Sequence, residues 1–132
     1  MFSILIVEDH QVFANALYKF LTEKGNIKVT DIAGSAEEAL ARLPDLNVDL
    51  ILVDISLPVV NGIELVKKIV QDYPHFRCLM LSGHVSLKYV RHALDVGARG
   101  YILKDDLSGI LEGIEQVLHG GIYVSKTLRR PE

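Results

Sequence analysis

The sequence predicts an α/β domain built on a doubly wound, five-stranded parallel sheet. Three observations lead to it. Apolar runs of strand length alternate five times with segments whose apolar residues recur at helical spacing. Several of those runs are apolar throughout, as strands buried on both faces are; Leu50, Ile51, Leu52 and Val53 are the clearest case. Strands of this kind joined through helices are parallel and carry helices on both sides of the sheet.

Each element follows from its own pattern. Ser3 to Val7 reads as the first strand. Val12, Phe13, Ala16, Leu17, Phe20 and Leu21 repeat as a helix, with Gly25 as a stop signal. The stretch "IKVTDIAG" alternates like a half-exposed second strand. Ser35, with Glu38 three residues on, forms a capping box that opens a helix carrying Ala36, Ala39, Leu40 and Leu43. The third strand, "LILVD", leads to a helix with Ile63, Val66, Ile69, Val70 and Tyr73 on one face, broken before Pro74. "RCLMLS" is the fourth strand, and Ser86 opens a helix with Leu87, Val90, Ala93 and Leu94 that stops at Gly97. "GYIL" is a short fifth strand. The last helix carries Leu107, Ile110, Leu111, Ile114, Val117 and Leu118 and ends at Gly120 and Gly121. The closing "IYVSKTLRRPE" has no clear period. The expected organisation is one domain over residues 1–121, then a linker or truncated edge over 122–132.

Bulk properties narrow the function. With 132 residues, 49% of them hydrophobic and 23% charged, the chain has the length and composition of a soluble globular domain. No run approaches the roughly 18 apolar residues of a membrane span, so no membrane association is expected. "MFSILIVEDH" has no basic start and meets acid by its eighth residue, unlike a signal peptide. Cys78 is the only cysteine and lies in an apolar run, so a buried, reduced thiol in a cytoplasmic protein is expected. A net charge of −3 argues against the chain gripping nucleic acid by itself, despite the basic cluster in "KTLRR".

In an open parallel sheet, ligands bind outside the carboxyl ends of the strands. Strand one ends in Glu8 and Asp9, strand three in Asp54, strand four in Ser82 and Gly83, and strand five in Lys104. Singly these residues read as caps, turns or surface charges. Together they aim three carboxylates, a hydroxyl and an ammonium at one sheet edge. One lysine does not balance three carboxylates, but a hard divalent cation does. Mg2+ suits the set, being held by one or two carboxylates with its other positions left to water and phosphate. A carboxylate beside such an ion is a nucleophile toward phosphorus. The charge that spreads over a transferred phosphoryl group calls for a cation, an ammonium and a hydroxyl.

On Glu8-Asp9 in "ILIVEDH", Asp54 in "LILVDISLPVVNG", Ser82 in "LMLSGH" and Lys104 in "GARGYILKDD", the chain resembles a response-regulator receiver domain over residues 2 to about 121. The resemblance implies the flavodoxin-like (βα)5 fold with strand order 2-1-3-4-5. It implies that Asp54 accepts phosphate from a phosphohistidine on a sensor histidine kinase. Glu8, Asp9, Asp54 and the Ser56 backbone carbonyl would hold Mg2+. Lys104 would pair with phosphoryl oxygens, Ser82 would swing to hydrogen-bond one of them, and Tyr101 would be the rotating switch aromatic. Such a domain is a signalling phosphoacceptor that assists only its own phosphorylation and dephosphorylation; it is not an enzyme acting on a separate substrate.

The "GARGYILKDD" and "HGGIYVS" phrasing resembles the NarL/LuxR-type subgroup, which implies control of transcription through a C-terminal helix-turn-helix DNA-binding domain not in this chain. Phosphorylation is expected to change self-association, as a phosphorylation-dependent homodimer, or domain contacts through the face around the fourth helix, fifth strand and fifth helix, to which Ser82 and Tyr101 connect the site, with the first and last helices as a rival surface. Two departures stand out: Asp105 follows the lysine where many receivers have proline, and Glu8 stands where many have aspartate.

Ser56 and His84, each two residues past a site residue, are expected to tune the lifetime of the phosphorylated state. The other histidines look scattered, with His84 alone near the crevice. Among rivals, a haloacid-dehalogenase-type phosphatase would carry an acid where Ser56 stands. A flavodoxin-like redox module would have a Ser/Thr/Gly-rich phosphate loop after strand one. The remaining alternative is an unphosphorylated pseudo-receiver acting as a protein-interaction module, expected to lack Asp54 or Lys104.

Overall fold

The computed structural model describes residues 1–24 and 26–129. Gly25, expected to stop the first helix, and Arg130 of the basic cluster lie outside the described residues. The chain runs β1 (Phe2–Val7), α1 (Gln11–Glu23), β2 (Ile27–Ala33), α2 (Ala36–Arg42), β3 (Leu50–Asp54), α3 (Gly62–Asp72), β4 (Cys78–Ser82), α4 (Leu87–Asp95), β5 (Gly100–Leu103), α5 (Leu107–Leu118) and β6 (Tyr123–Val124). All pairings are parallel and the sheet order is β2-β1-β3-β4-β5-β6. The expected order 2-1-3-4-5 stands, but the expected count of five strands is corrected to six.

The period of two along each strand explains the all-apolar runs. Leu5, Val7, Ile51, Val53, Met80 and Tyr101 face one side, where Ala39 of α2, Val66 and Ile69 of α3, and Ala93 of α4 close over them. Ile4, Ile6, Leu50, Leu52, Leu79, Leu81 and Ile102 face the other, under Leu17 and Leu21 of α1 and Ile110, Ile114 and Val117 of α5. The central strands are sealed on both sides, so their backbone is rigid where they end. Cys78 sits among them, and burial pushes its thiol up to about 12, which leaves it an inert packing residue.

Capping places the helices as expected. Ser35 Oγ accepts from Glu38 N at 3.1 Å, and Glu38 Oε2 accepts from Gly34 N at 2.8 Å, so the box reaches one residue further back than Ser35. Leu43 falls into a short 3-10 turn (Leu43–Asp45) instead of continuing α2, since Pro44 follows it. The second strand does not alternate cleanly. Its register with β1 slips between Ile4 and Leu5, leaving Thr30 as the extra residue of a bulge.

The sixth strand comes from the segment expected to be irregular. Tyr123 N donates to Arg99 O and Ser125 N to Tyr101 O, both at 3.0 Å, extending the sheet past β5. Gly100 permits the approach, because a Cβ there would collide with the Tyr123 carbonyl oxygen. Ser125, fully buried, clasps the junction: its hydroxyl donates to Asp106 Oδ2 at 2.9 Å and accepts from Leu103 N at 3.0 Å. Asp106 Oδ1 meanwhile caps α5 through Gly109 N. After Ser125, a 3-10 turn (Lys126–Leu128) tucks Leu128 into the core with only 4% of its surface exposed. A two-residue strand has no readable period, which is why its pattern is silent in the sequence.

The docking of this segment makes a testable difference. Leu128→Ala is expected to lower unfolding stability by about 2 kcal/mol, the lower end of buried Leu→Ala losses because the site lies near the chain end. Urea denaturation measures it; a change below about 0.5 kcal/mol is what an exposed tail would give.

Candidate functional site

The same alternation that builds the core sorts the polar residues at the strand ends. Glu8, Asp54 and Lys104 continue the rows that face α1 and α5, whereas Ser82 and Tyr101 belong to the rows that face α4. Two linked polar groups result, one on each side of the sheet edge.

On the first side, Glu8 is almost wholly buried, held by its backbone N–H to Ala33 O at 2.9 Å. Its Oε2 accepts from His10 N at 3.0 Å, and its Oε1 lies 2.7 Å from Lys104 Nζ as a charge contact. Asp54 has no exposed surface. Its Oδ1 accepts from Ser56 N at 3.1 Å and lies 3.2 Å from Lys104 Nζ. Asp54 Oδ2 is buried without any hydrogen-bond partner, an arrangement that calls for a missing donor or cation. Lys104 therefore bridges two buried carboxylates, and its ammonium also rests 4.8 Å from the centre of the Phe13 ring. Phe13, read from the sequence as a core residue of the first helix, is the platform that orients the lysine.

Burial pushes the Asp54 carboxyl above the ordinary carboxylate value of 3.8. The Ser56 N–H opposes this, the neighbouring Glu8 adds to it, and Lys104 offsets part of it. Formally three carboxylates (Glu8, Asp9, Asp54) meet one ammonium, and a divalent cation would bring the sum to zero. Ligand atoms of Glu8, Asp9, His10 and Asp54 all lie within 4.8 Å of one another. The oxygen-rich donor set and the orphaned Asp54 oxygen fit Mg2+.

His10 corrects the expectation that only His84 among the histidines is near the crevice. Its Nδ1 lies 3.2 Å from Glu8 Oε2 and 3.4 Å from Asp9 Oδ1. The signal was adjacency: it directly follows the acidic pair, and a helix start turns it back over them.

On the second side, Ser82 is fully buried and accepts from His84 N at 2.9 Å. The Tyr101 hydroxyl lies 2.8 Å from both Ser82 Oγ and the His84 carbonyl oxygen. The carbonyl can only accept, so the tyrosine proton goes there and the Ser82 proton turns to the tyrosine oxygen. A closed three-member loop results. Tyr101 is wholly inside the protein, and burial raises its hydroxyl, with the Ser82 contact partly opposing that. The Ser56 and His84 side chains meet across the crevice, Oγ to Nε2 at 3.3 Å, beside a cavity of about 120 Å3 also bordered by Asn61 and Tyr89.

Two backbone features hold the loop after β3. Gly62 donates to Ile55 O at 2.9 Å, and a Cβ on it would strike the Asp54 carbonyl oxygen. Val59, fully exposed, has φ 65 at the centre of a tight turn in which Val60 N donates to Pro58 O at 2.8 Å. A β-branched residue there holds a strained backbone conformation on the loop that follows β3.

A parallel (βα)5 core with this constellation at its strand ends defines a receiver domain, and the chain belongs to the response regulator receiver domain family, whose profile matches residues 4–115. Among curated relatives, the transcriptional regulatory protein DegU of Brevibacillus brevis is 36% identical over 122 residues, covering 92% of this chain and 52% of DegU. The DNA-binding transcriptional activator DevR/DosR of Mycobacterium tuberculosis is 36% identical over 105 residues, 80% of this chain and 48% of the relative. The chain thus spans about half the length of these relatives. A LuxR-family two-component response regulator from Aurantimonas sp. superposes with a TM-score of 0.93 at 26% identity, covering 97% of this chain and 92% of that one. The receiver of the response regulator NarL from M. tuberculosis gives 0.83 at 26% identity, covering 90% and 97%. The chain is of this LuxR/NarL type. No helix among the described residues is long and apolar enough to cross a membrane.

The raised Asp54 carboxyl has a consequence for stability. Its folded pKa lies above the unfolded one, so the native state binds the proton more tightly. The stability this provides is complete below the unfolded value of 3.8 and is lost as pH rises through the folded value. Without divalent cations, Asp54→Asn is therefore expected to melt several degrees above wild type at pH 7, and the two should converge toward pH 4. Thermal scans across pH in chelator measure this; a variant less stable than wild type at pH 7 contradicts it.

Proposed function

We propose that this domain accepts a phosphoryl group on Asp54 from the phosphohistidine of a sensor histidine kinase, with Mg2+ bound by Glu8, Asp9, Asp54 and the Ser56 carbonyl. The observation that carries the reading is the buried, unpartnered Asp54 Oδ2 beside a lysine already committed to two carboxylates. Bound Mg2+ would neutralise the carboxylates and the charge on the transferred group. The rest falls to the chain. An Asp54 oxygen attacks phosphorus, the bond from phosphorus to the kinase imidazole breaks, and the imidazole leaves with the electron pair. Lys104, preoriented by Phe13, would exchange its Asp54 contact for a phosphoryl oxygen. Ser82 would turn its hydroxyl from Tyr101 to the same group, opening the three-member loop and altering the contact that holds the His84 backbone. That change on the α4 side is the conformational output.

The output is taken to be transcription, through a helix-turn-helix domain outside residues 1–132, since DegU and DevR/DosR are named as transcriptional regulators. The segment 122–132, its first part packed against β5, would join the receiver to that domain. Self-association on phosphorylation would use the α4–β5–α5 face or the α1–α5 face; β6 caps the β5 edge and favours the second. The alternative, an unphosphorylated interaction module, is disfavoured because Asp54 and Lys104 are both present and in contact. Cytoplasmic placement follows from the same reading.

Incubation with acetyl phosphate and Mg2+ should add one phosphoryl mass to wild type and none to Asp54→Asn; equal labelling of both contradicts the assignment. The Ser56–His84 contact supports the proposed role in lifetime, in which the two side chains together would flank the path of an in-line water. Decay of the phosphorylated form should change at least about threefold in His84→Ala and in Ser56→Ala, as positioned water or proton acceptors act on rates by up to about a hundredfold. Rates within about twofold of a His119→Ala control would remove both residues from that role.

A further inference from the structure

We propose that His10 is a nitrogen ligand of the cation site, so that the site takes borderline divalent transition cations of the Fe2+, Ni2+ or Zn2+ class in addition to Mg2+. The inference rests on the cation site proposed above and adds a residue and a ligand class to it.

The geometry carries the argument. His10 is the N-cap residue of α1, yet its ring makes no capping hydrogen bond. Instead Nδ1 is turned back to 3.2 Å from Glu8 Oε2 and 3.4 Å from Asp9 Oδ1. A proton on Nδ1 can be given to Glu8 Oε2, which leaves Asp9 Oδ1 unserved. With the ring proton on Nε2 instead, three lone pairs face one another as ligand atoms do around a cation. In an octahedral site with metal–ligand bonds of about 2.1 Å, adjacent ligand atoms lie about 3.0 Å apart and opposite ones about 4.2 Å. The two His10 distances are close to the adjacent spacing. The whole set, including Asp54, spans no more than 4.8 Å. The second observation is the Asp54 side chain, wholly buried, whose Oδ2 has no partner at this cluster.

Imidazole changes the selectivity of an otherwise oxygen-only site. Carboxylates and carbonyls suit Mg2+, whereas a nitrogen donor favours iron, nickel, copper and zinc. The ring is two-thirds exposed, so it can rotate to admit Mg2+ without loss, or close onto a softer ion. Metal identity at the phosphoacceptor site would then depend on which cation is available.

The test compares Ni2+ and Mg2+ binding by titration calorimetry, with Ni2+ visible absorption as a second readout, in wild type, His10→Ala, His10→Gln and Asp9→Ala. Fold is checked by circular dichroism, and little change is expected because His10 contributes no cap and no core. Loss of an outer-shell partner already weakens metal binding about 10–100-fold. Loss of a direct ligand should therefore weaken Ni2+ at least about tenfold in both His10 variants, while Mg2+ affinity stays within about twofold. Asp9→Ala should weaken both ions. Ni2+ affinity and spectrum unchanged in the His10 variants would overturn the inference, while intact Mg2+ binding would leave the proposed function standing. Ni2+ binding unaffected by Asp9→Ala would place the nickel elsewhere and also overturn it. Mg2+ binding absent from wild type, with Ni2+ lost on His10 substitution, would remove the Mg2+ reading and keep the histidine ligand.

Discussion

The concentration of like charge at a sealed sheet edge governs the rest of this structure. Glu8 and Asp54 end two adjacent strands with side chains that water does not reach, and a lone lysine bridges them. Burying one unpaired carboxylate is strongly unfavourable, and burying two side by side more so. The arrangement persists because the central strands are packed by helices on both faces and cannot splay to hydrate their ends. The core thus holds a destabilised site in place, and the site retains a standing demand for positive charge. The ion and the phosphoryl group proposed for it both answer that demand.

Strand β5 connects this demand to the surface. Within five residues it bears Tyr101 on the α4 side and Lys104 on the α1 side, while its outer edge pairs with β6. Ser125 donates to the aspartate that caps α5 and accepts from the backbone of Leu103, next to the lysine. Residues 123–125 are thus tied by backbone hydrogen bonds to the strand that carries Tyr101 and leads into Lys104. Tyr123 is tied in as well. Its hydroxyl donates to Glu112 of α5 at 2.7 Å, and burial followed by that carboxylate pushes it up to about 12.

Most of the site was legible in the sequence because its residues sit at strand ends, and strand ends are where an apolar run stops. Asp54 after "LILV", Ser82 after "CLML" and Lys104 after "GYIL" could be read that way. Equal offsets past two adjacent strands place Ser56 and His84 on loops beside the crevice, but their meeting at 3.3 Å is a contact the offsets alone do not predict. What escaped notice depended on contacts without a period. Phe13 fits the apolar face of α1 equally well as core or as lysine platform. His10 is a lone histidine until the helix start folds it over Glu8 and Asp9. The sixth strand needs Gly100 to admit it and Ser125 to fasten it, and neither advertises a strand. The bulge at Thr30 likewise depends on register with β1, which local alternation cannot supply.

The central claim is that this edge is short of positive charge and is completed by a divalent cation. The most direct measurement is the thermal midpoint of unphosphorylated wild type titrated with Mg2+, against NaCl at matched ionic strength. A ligand bound only by the native state stabilises by about 2.7 kcal/mol at a hundred times its dissociation constant, whereas general screening acts alike for both salts. The expected result is a saturable rise with Mg2+ that NaCl does not reproduce and that Asp9→Ala shifts to clearly higher Mg2+ concentration. Superimposable curves for the two salts would contradict the account.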